Sequence, residues 1–400
     1  MKRIFERIIE FSLTVGGAIT SIVILLMVIF LFKEGFGFFQ NSTVEKGYTL
    51  CVNSENTVNQ LTSLEIKQIF DYEIENWKDL GGSEEEIVPF RFDEVFNRYS
   101  EEELGENYEF LPEKLGEVIA ETSGIIAFIP TQYLPKNQPH VKVLNSEQLN
   151  PADFFGGKEW MPTATPSPQF GLLPLLLGTL WVSLLAILIA LPLGLGVAIY
   201  LSELAGKQMR RLLKPAIELL AGIPSVVYGF FGLVVLAPLL QTMLHLSVGE
   251  TAFTGSLVLA IMALPTIITI AEDAMQNTPK AMREASLGLG ANHWQTIYKV
   301  IIPYSASGIS AAVVLGIGRA IGETMAVLMV TGNAAVIPHS FFEPVRTIPA
   351  TIAAELGEAP VGGGHYQALF MLGCILFIIT MIISVAAEGI SKKGIQKKGI

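Results

Sequence analysis

Six stretches of this 400-residue chain are apolar over roughly the 20 residues that an α-helix needs to cross a hydrocarbon core of about 30 Å. They are Phe11–Phe32, Leu172–Leu201, Ala216–Leu240, Gly255–Ala271, Gly308–Val330 and Tyr366–Ala387. Hydrocarbon offers no water to a free backbone N–H or C=O, so a run of this kind is read as a helix. The chain is therefore expected to be an all-α polytopic membrane protein with six transmembrane helices. The first run follows Lys2, Arg3 and Arg7 in the manner of a secretory signal, but its length and the absence of an Ala-x-Ala site favour a retained anchor. Phe36, Phe38 and Phe39 beyond it read as an interfacial aromatic belt.

Orientation follows from lysine and arginine in the short connections. Lys2, Arg3 and Arg7 precede the first run; Lys207, Arg210, Arg211 and Lys214 follow the second; Lys280, Arg283 and Lys299 follow the fourth; Lys392, Lys393, Lys397 and Lys398 end the chain. Arg346 alone occupies the connection between the fifth and sixth. In a six-span arrangement all the basic segments fall on one side, which implies cytoplasmic termini and an external connection after the first span.

The net charge of −11 conceals two parts. Between Lys33 and Glu159 there are 24 acidic and 10 basic residues, a net of −14, whereas the remainder holds 13 acidic and 16 basic. Acidity excludes nucleic acid as a partner. Membrane lipid surrounds the apolar part, and the acidic part is a soluble external insert. Cys51 and Cys374 are too few and too far apart for a disulfide framework or a metal cluster.

Several spans carry helix-disturbing residues: Pro192 with Gly194 and Gly196, Gly222-Ile223-Pro224, and Pro265. Such breaks are typical of transporters, and they also serve simply as packing bends. Span five holds Arg319 and Glu323 four residues apart, on one face of a continuous helix and able to neutralise each other. A charge near the bilayer centre costs about 2.5–3.5 kcal/mol on insertion scales. The pair is thus expected to face a protein interior or an aqueous path, either as a gate and anion contact or as a permanent structural ion pair. Ala312, Gly316 and Ala320 form one small-residue row, and Gly318, Gly322 and Ala326 another, that would admit neighbouring helices closely.

Before that span, Thr278-Pro279 reads as an N-cap with Pro at N1 of a helix lasting to Leu287. Gly288 and Gly290 then interrupt, and Asn292 with Gln295 reads as a capping box that restarts the helix as far as Pro303. Two short helices joined by a glycine turn suit a docking surface; a plain connector fits the composition equally.

Glu284-Ala285-Ser286, then Gly290, then Val300-Ile301-Ile302-Pro303 resembles the EAA loop of binding-protein-dependent ABC importer permeases, with Ser286 where Ala is commoner. The resemblance implies the type I ABC importer permease fold and makes Glu284, Ala285, Gly290 and Pro303 residues that couple to an ATPase. Gly178-Thr179, Tyr200-Leu201-Ser202-Glu203, Gly222-Ile223-Pro224-Ser225 and Gly318-Arg319-Ala320-Ile321-Gly322-Glu323-Thr324-Met325 narrow it to phosphate permeases of the PstC type. It implies a PstA-type second permease subunit, two ATP-binding subunits and an external phosphate-binding protein as partners. Arg319, Glu323 and Thr324 would then line or gate the phosphate pathway. Neither Gly157-Lys158 nor Gly206-Lys207 sits in a P-loop. The chain is accordingly expected to be a transporter subunit and no enzyme, with no cofactor of its own, ATP and Mg being used by the partner ATPase. The alternatives are import of molybdate or sulfate, or a phosphate sensor without transport.

The expected organisation is a tail and first helix over 1–40, an insert over 41–161, a Pro-rich linker over 162–170, a permease domain over 171–390 with its coupling loop at 278–303, and a basic tail over 391–400. In the insert, Leu61–Phe70, Asn76–Gly82, Ile87–Asp93 and Thr122–Ile129 resemble parts of phosphate-binding proteins, which implies a small external α/β module. Glu94-Val95-Phe96 stands where such proteins carry Ser-Gly-Thr after Arg-x-Asp. The donors for an oxyanion are missing there, and a docking or structural role is expected ahead of ligand binding.

Overall fold

The computed structural model describes residues 2–135, 139–146 and 148–396; Lys397 and Lys398 of the basic tail lie outside them. Two compact units are present, Met1–Leu172 with Ala359–Ala368, and Leu173–Glu358 with Leu369–Ile400.

The first unit begins with helix α1 (Lys2–Gly37), whose apolar window has a mean hydropathy of 2.7 and is 0% buried. In hydrocarbon its hydroxyls have no water, and Thr14, Thr20 and Ser21 donate back to the carbonyls of Glu10, Gly16 and Gly17 at 2.8–2.9 Å. Phe36 is 57% exposed, as a belt residue would be, but Phe38 is 0% exposed. It packs against Phe154 and Phe170 at centroid distances of 5.1 and 5.2 Å, so it belongs to a core rather than to a belt.

The module after α1 is a four-stranded sheet of β1 (Tyr48–Asn53), β2 (Val88–Arg91), β3 (Ile125–Pro130) and β4 (Val141–Val143), in the order β2-β3-β1-β4. β3 runs antiparallel to β1 and parallel to β2. Side chains alternate across a strand. Leu50, Val52, Ile126 and Phe128 pack on one face with Ile66 and Ile69 of helix α2 (Ser63–Phe70). Cys51, Ile125, Ala127 and Ile129 pack on the other with Leu115 and Ile119 of helix α3 (Leu111–Glu121). Thr62 and Glu65 close a full capping box at the start of α2. Cys51 is 0% exposed, and burial pushes its thiol up to about 12.

The stretch expected as a linker is part of this module. Ser167 is 1% exposed, lies 2.7 Å from the Ser63 hydroxyl and donates to the Thr43 carbonyl at 2.7 Å. Trp160–Met161 pairs antiparallel with Gln169–Phe170. Ser167 between Pro166 and Pro168, and Gln169 after them, fix this segment by hydrogen bonds to Thr43 and Ser63.

The second unit is helical: α4 (Leu173–Ile199), α5 (Lys207–Ala221), α6 (Ser225–Leu244), α7 (Ala252–Gln276), α8 (Lys280–Gly288), α9 (His293–Thr296), α10 (Ala306–Gly322), α11 (Met325–Val330), α12 (Ile348–Glu355) and α13 (Gly364–Gln396). Among the described residues of the chain five helices, α1 included, are long and apolar enough to span a membrane, and a sixth span requires His293–Tyr304 and Ala306–Gly322, bent by 70°, to count as one. Several boundaries differ from expectation. The third span starts at Ser225, because residues 216–221 complete the amphipathic α5 and Gly222-Ile223-Pro224 ends it. The fifth is not continuous to Val330, since α10 stops at Gly322. At the C-terminus α13 runs to Gln396, so the helix extends into the stretch read as a tail.

The bundle is knit by close approach at small residues. Ile267 of α7, 0% exposed, fills the space left by Gly194 of α4 and Gly316 of α10; a Cβ at either glycine would lie 2.8 Å from it. Ala312, Gly316 and Ala320 are all buried, as expected of a packing row, whereas Gly318 and Gly322 are exposed. At the other end of α4, the Thr179 hydroxyl accepts from Ile348 N at 2.9 Å. A Cβ at Gly178 would meet the Arg346 carbonyl at 2.3 Å. Gly178→Ala therefore forces a backbone shift and is expected to destabilise by about 1–3 kcal/mol. Gly196→Ala, where nothing lies within 4 Å, serves as the neutral control; thermal unfolding of the solubilised protein compares the two.

Candidate functional site

The loop between α7 and α10 is built from local signals. Its first helix, α8, begins one residue later than expected: Pro279 (φ −56, ψ 135) holds the cap position. The Thr278 hydroxyl is buried without a partner. The helix ends at Gly288, and Gly290 turns the chain at φ +87, a left-handed conformation that favours glycine. Asn292 and Gln295 form the expected capping box, with Gln295 N donating to Asn292 Oδ1 at 2.8 Å and Asn292 N to Gln295 Oε1 at 2.9 Å. After α9 a π turn at Ile297–Ile301 leads to Pro303. Ser286, where alanine is commoner, lies 3.0 Å from the Thr296 hydroxyl and braces the two short helices.

Two charge clusters lie beside this loop, one tying it to the end of α4 and the other tying α5 to α7. Glu203, in the π turn that closes α4, has a side chain only 3% exposed and pairs with Arg283 of α8 at 3.1 Å. Ser202 donates to the same carboxylate at 2.7 Å, and Arg283 also donates to the Met275 carbonyl at 2.8 Å. Glu272 near the end of α7 is 1% exposed and accepts from Arg210 and Lys214 of α5, each at 2.7 Å, and from Gln276. Lys214 also reaches Asp273 at 2.9 Å. In the sequence these cations mark only orientation, and the signal of their partners is Glu272-Asp273 ending an otherwise apolar span. Glu284 and Ala285 are exposed on α8, and Leu287, Leu289, Trp294 and Tyr298 are 47%, 89%, 59% and 53% exposed. The loop thus gathers four large apolar side chains on an exposed surface.

Within the broken span the two charges do not meet. Glu323 is extended (φ −69, ψ 131), so a four-residue spacing no longer places it over Arg319. Its carboxylate turns forward and accepts from Ala326 N at 3.4 Å, at the start of α11. Arg319, half-buried in the last turn of α10, donates through Nη1 to the Thr266 hydroxyl of α7 at 3.2 Å. No other partner holds its guanidinium among the described residues. Each charge sits at the helix end that favours it, the cation at a C-terminus and the carboxylate at an N-terminus. Thr324 donates to the Gly322 carbonyl at 3.3 Å. Gly322 and Thr324 also line an open cleft of ≈ 530 Å³ with Pro349, Ile352 and Ala353 of α12.

A bundle of apolar helices with a broken charged span at its middle and an exposed apolar loop at one end is a multi-pass membrane permease. More narrowly, the chain belongs to the binding-protein-dependent transport system inner membrane component family, which matches residues 190–393. That region contains the loop and Arg319, Glu323 and Thr324, but not the module. A probable ABC transporter permease protein, YqgH of Bacillus subtilis, is 40% identical over 256 residues, covering 63% of this chain and 82% of the relative. The phosphate transport system permease protein PstC of Mesorhizobium japonicum is 42% identical over 254 residues, covering 59% and 76%. Among solved structures, the inward-facing MetNI methionine ABC transporter has a TM-score of 0.44 and 18% identity, over 54% of this chain and 93% of the other.

Arg283→Ala would leave a buried carboxylate unpaired and is expected to cost about 3 kcal/mol or more. Adding Glu203→Gln in the same chain should restore most of that loss, as read from thermal unfolding.

Proposed function

We propose that this chain is the permease subunit of an ATP-driven importer that carries inorganic phosphate across the inner membrane, with both termini on the cytoplasmic side. The observation that carries the reading is Arg319. A guanidinium with donors to spare stands at a break in a span, within the family region 190–393, in a chain whose relatives are named phosphate transport permeases. Its planar fork suits a tetrahedral oxyanion, and a low-dielectric surround strengthens each contact. Thr266 orients the fork from α7, and the Thr324 hydroxyl is a second polar group at the break. Glu323 is held away by the start of α11. A conformational change that swings it onto Arg319 would replace the anion and release it.

The partners of this reading are a second, PstA-type permease subunit, two ATP-binding subunits that use ATP and Mg, and an external phosphate-binding protein. The ATPase docks on the loop through Glu284, Ala285, Gly290 and the apolar side chains beside them, and Pro303 sets the bend that follows. Movement of α8 passes through Arg283 and Glu203 to α4, and α5 is carried with α7 by Glu272. Ile267, clasped between α4 and α10, lies one residue from Thr266. A displacement of the loop thus reaches the Arg319 contact through buried links.

Uptake of labelled phosphate into proteoliposomes containing the complex, binding protein and ATP is the test. Arg319→Gln is expected to lower uptake by roughly 10–100-fold, the loss of a charge-assisted contact. Unchanged uptake would assign Arg319 a structural role, and competition by molybdate or sulfate would shift the substrate. For the loop, Gly290→Pro removes an N–H that donates to Leu287 O and forbids φ +87. It should abolish co-purification with the ATPase, or at least transport-coupled hydrolysis; normal coupling in this variant would sink the docking role.

A further inference from the structure

On the soluble module lies an open groove of ≈ 660 Å³ lined by Tyr48, Phe92, Phe96, Tyr108, Pro130 and Tyr133. Its rings are held in a chain. Phe92 stacks on Tyr133 with centroids 5.5 Å apart and planes 6° apart, Phe96 meets Phe92 edge-on at 5.6 Å, and Tyr108 meets Phe96 edge-on at 5.7 Å. Yet Phe96 is 42% and Tyr108 39% exposed. Tyr108 also sits at φ +58, a conformation that a non-glycine residue keeps only where its surroundings fix it. Phe92 and Tyr133 pack against the core on one sheet face, whereas Phe96 and Tyr108 belong to neither core and carry the array beyond it.

Charge identifies the occupant. From Asp93 to Glu113 there are eight acidic residues, and Arg98 is the only basic one. Asp93 and Glu109, next to lining rings in the sequence, and Glu106, two residues before Tyr108, are exposed. The nearby cations are engaged elsewhere, Arg98 over the Phe90 ring at 5.5 Å and Lys114 with Glu117 at 2.8 Å. Aromatic walls with a carboxylate margin accept a lysine or arginine by cation–π contact and charge neutralisation, together with an apolar neighbour. A second copy of the module carries the same acidity and is repelled, as is an anionic polymer.

We propose that this groove docks the soluble substrate-binding protein through a Lys- or Arg-bearing apolar loop, as an anchorage separate from the permease helices. The choice of partner rests on the importer reading: a binding-protein-dependent permease must meet that protein in every cycle. A salt-sensitive, acidic-aromatic surface gives fast capture without a permanent complex.

The test uses the whole complex in nanodiscs and the phosphate-binding protein of the same organism, with Kd and association rate measured at low and high salt. Phe96→Ser with Tyr108→Ser is expected to weaken binding by roughly tenfold or more. Asp93→Asn with Glu106→Gln and Glu109→Gln changes exposed side chains only, and so remains decisive if the ring variant misfolds. It should slow association several-fold and flatten its salt dependence. Basal ATP hydrolysis should be unchanged in both. Unaltered Kd and association rate in the charge variant overturn the proposal. If the unmodified complex takes up no phosphate while Kd still responds to the variants, the transport reading fails and the dock stands.

Discussion

A helix that breaks inside hydrocarbon must find partners for the backbone groups it frees, because no water will take them. The permease helices meet this demand at several of their breaks. The Tyr228 hydroxyl donates to the Leu220 carbonyl at 2.9 Å, across the Gly222-Ile223-Pro224 interruption. Ser305 donates to Ile301 O at 2.6 Å where the loop bends into α10. Glu323 accepts from Ala326 N, and Asn333 donates to Leu328 O at 2.7 Å where α11 ends. Side chains one to eight residues from each interruption do the work of the missing helical bonds. The breaks are thus stable features of the fold, and a charged residue can be placed at one of them without unravelling the span.

The same economy governs the ionic clusters. Glu203 and Glu272 are buried carboxylates, each ringed by donors, and a buried charge with its partners intact is stiff rather than strongly stabilising. Stiffness is what a transmission element needs. α5, α8 and the ends of α4 and α7 are joined by short, directional contacts that resist sliding, whereas the apolar contacts of the bundle permit it. Movement is therefore expected inside the bundle, at small-residue seams, and not at the junction with the loop.

Much of this was legible in the sequence. Hydropathy located the spans, the Asn292–Gln295 box fixed the second loop helix, and the Ala312–Gly316–Ala320 row lies buried as its spacing implied. What escaped has physical reasons. An apolar average cannot separate the end of the amphipathic α5 from the start of α6, since both contribute leucine and alanine. Glycine weakens a helix without saying where it stops, and spacing alone sets Glu323 over Arg319 on a helical register that in fact ends at Gly322. Thr266 and Glu272 are distant in sequence from Arg319 and Lys214, and only folding brings them together. The 162–170 segment shows proline in its composition but not the buried hydroxyls that lock it.

The placement of the two cysteines has a practical corollary. Cys51 lies at the centre of a sheet covered on both faces, its thiol held protonated, and Cys374 is 1% exposed on α13. A thiolate is the reactive species, and neither site presents one to solvent. The natural chain thus offers a quiet background for maleimide chemistry: dyes placed on engineered surface cysteines could follow the loop or the module through a transport cycle without first stripping out the native residues.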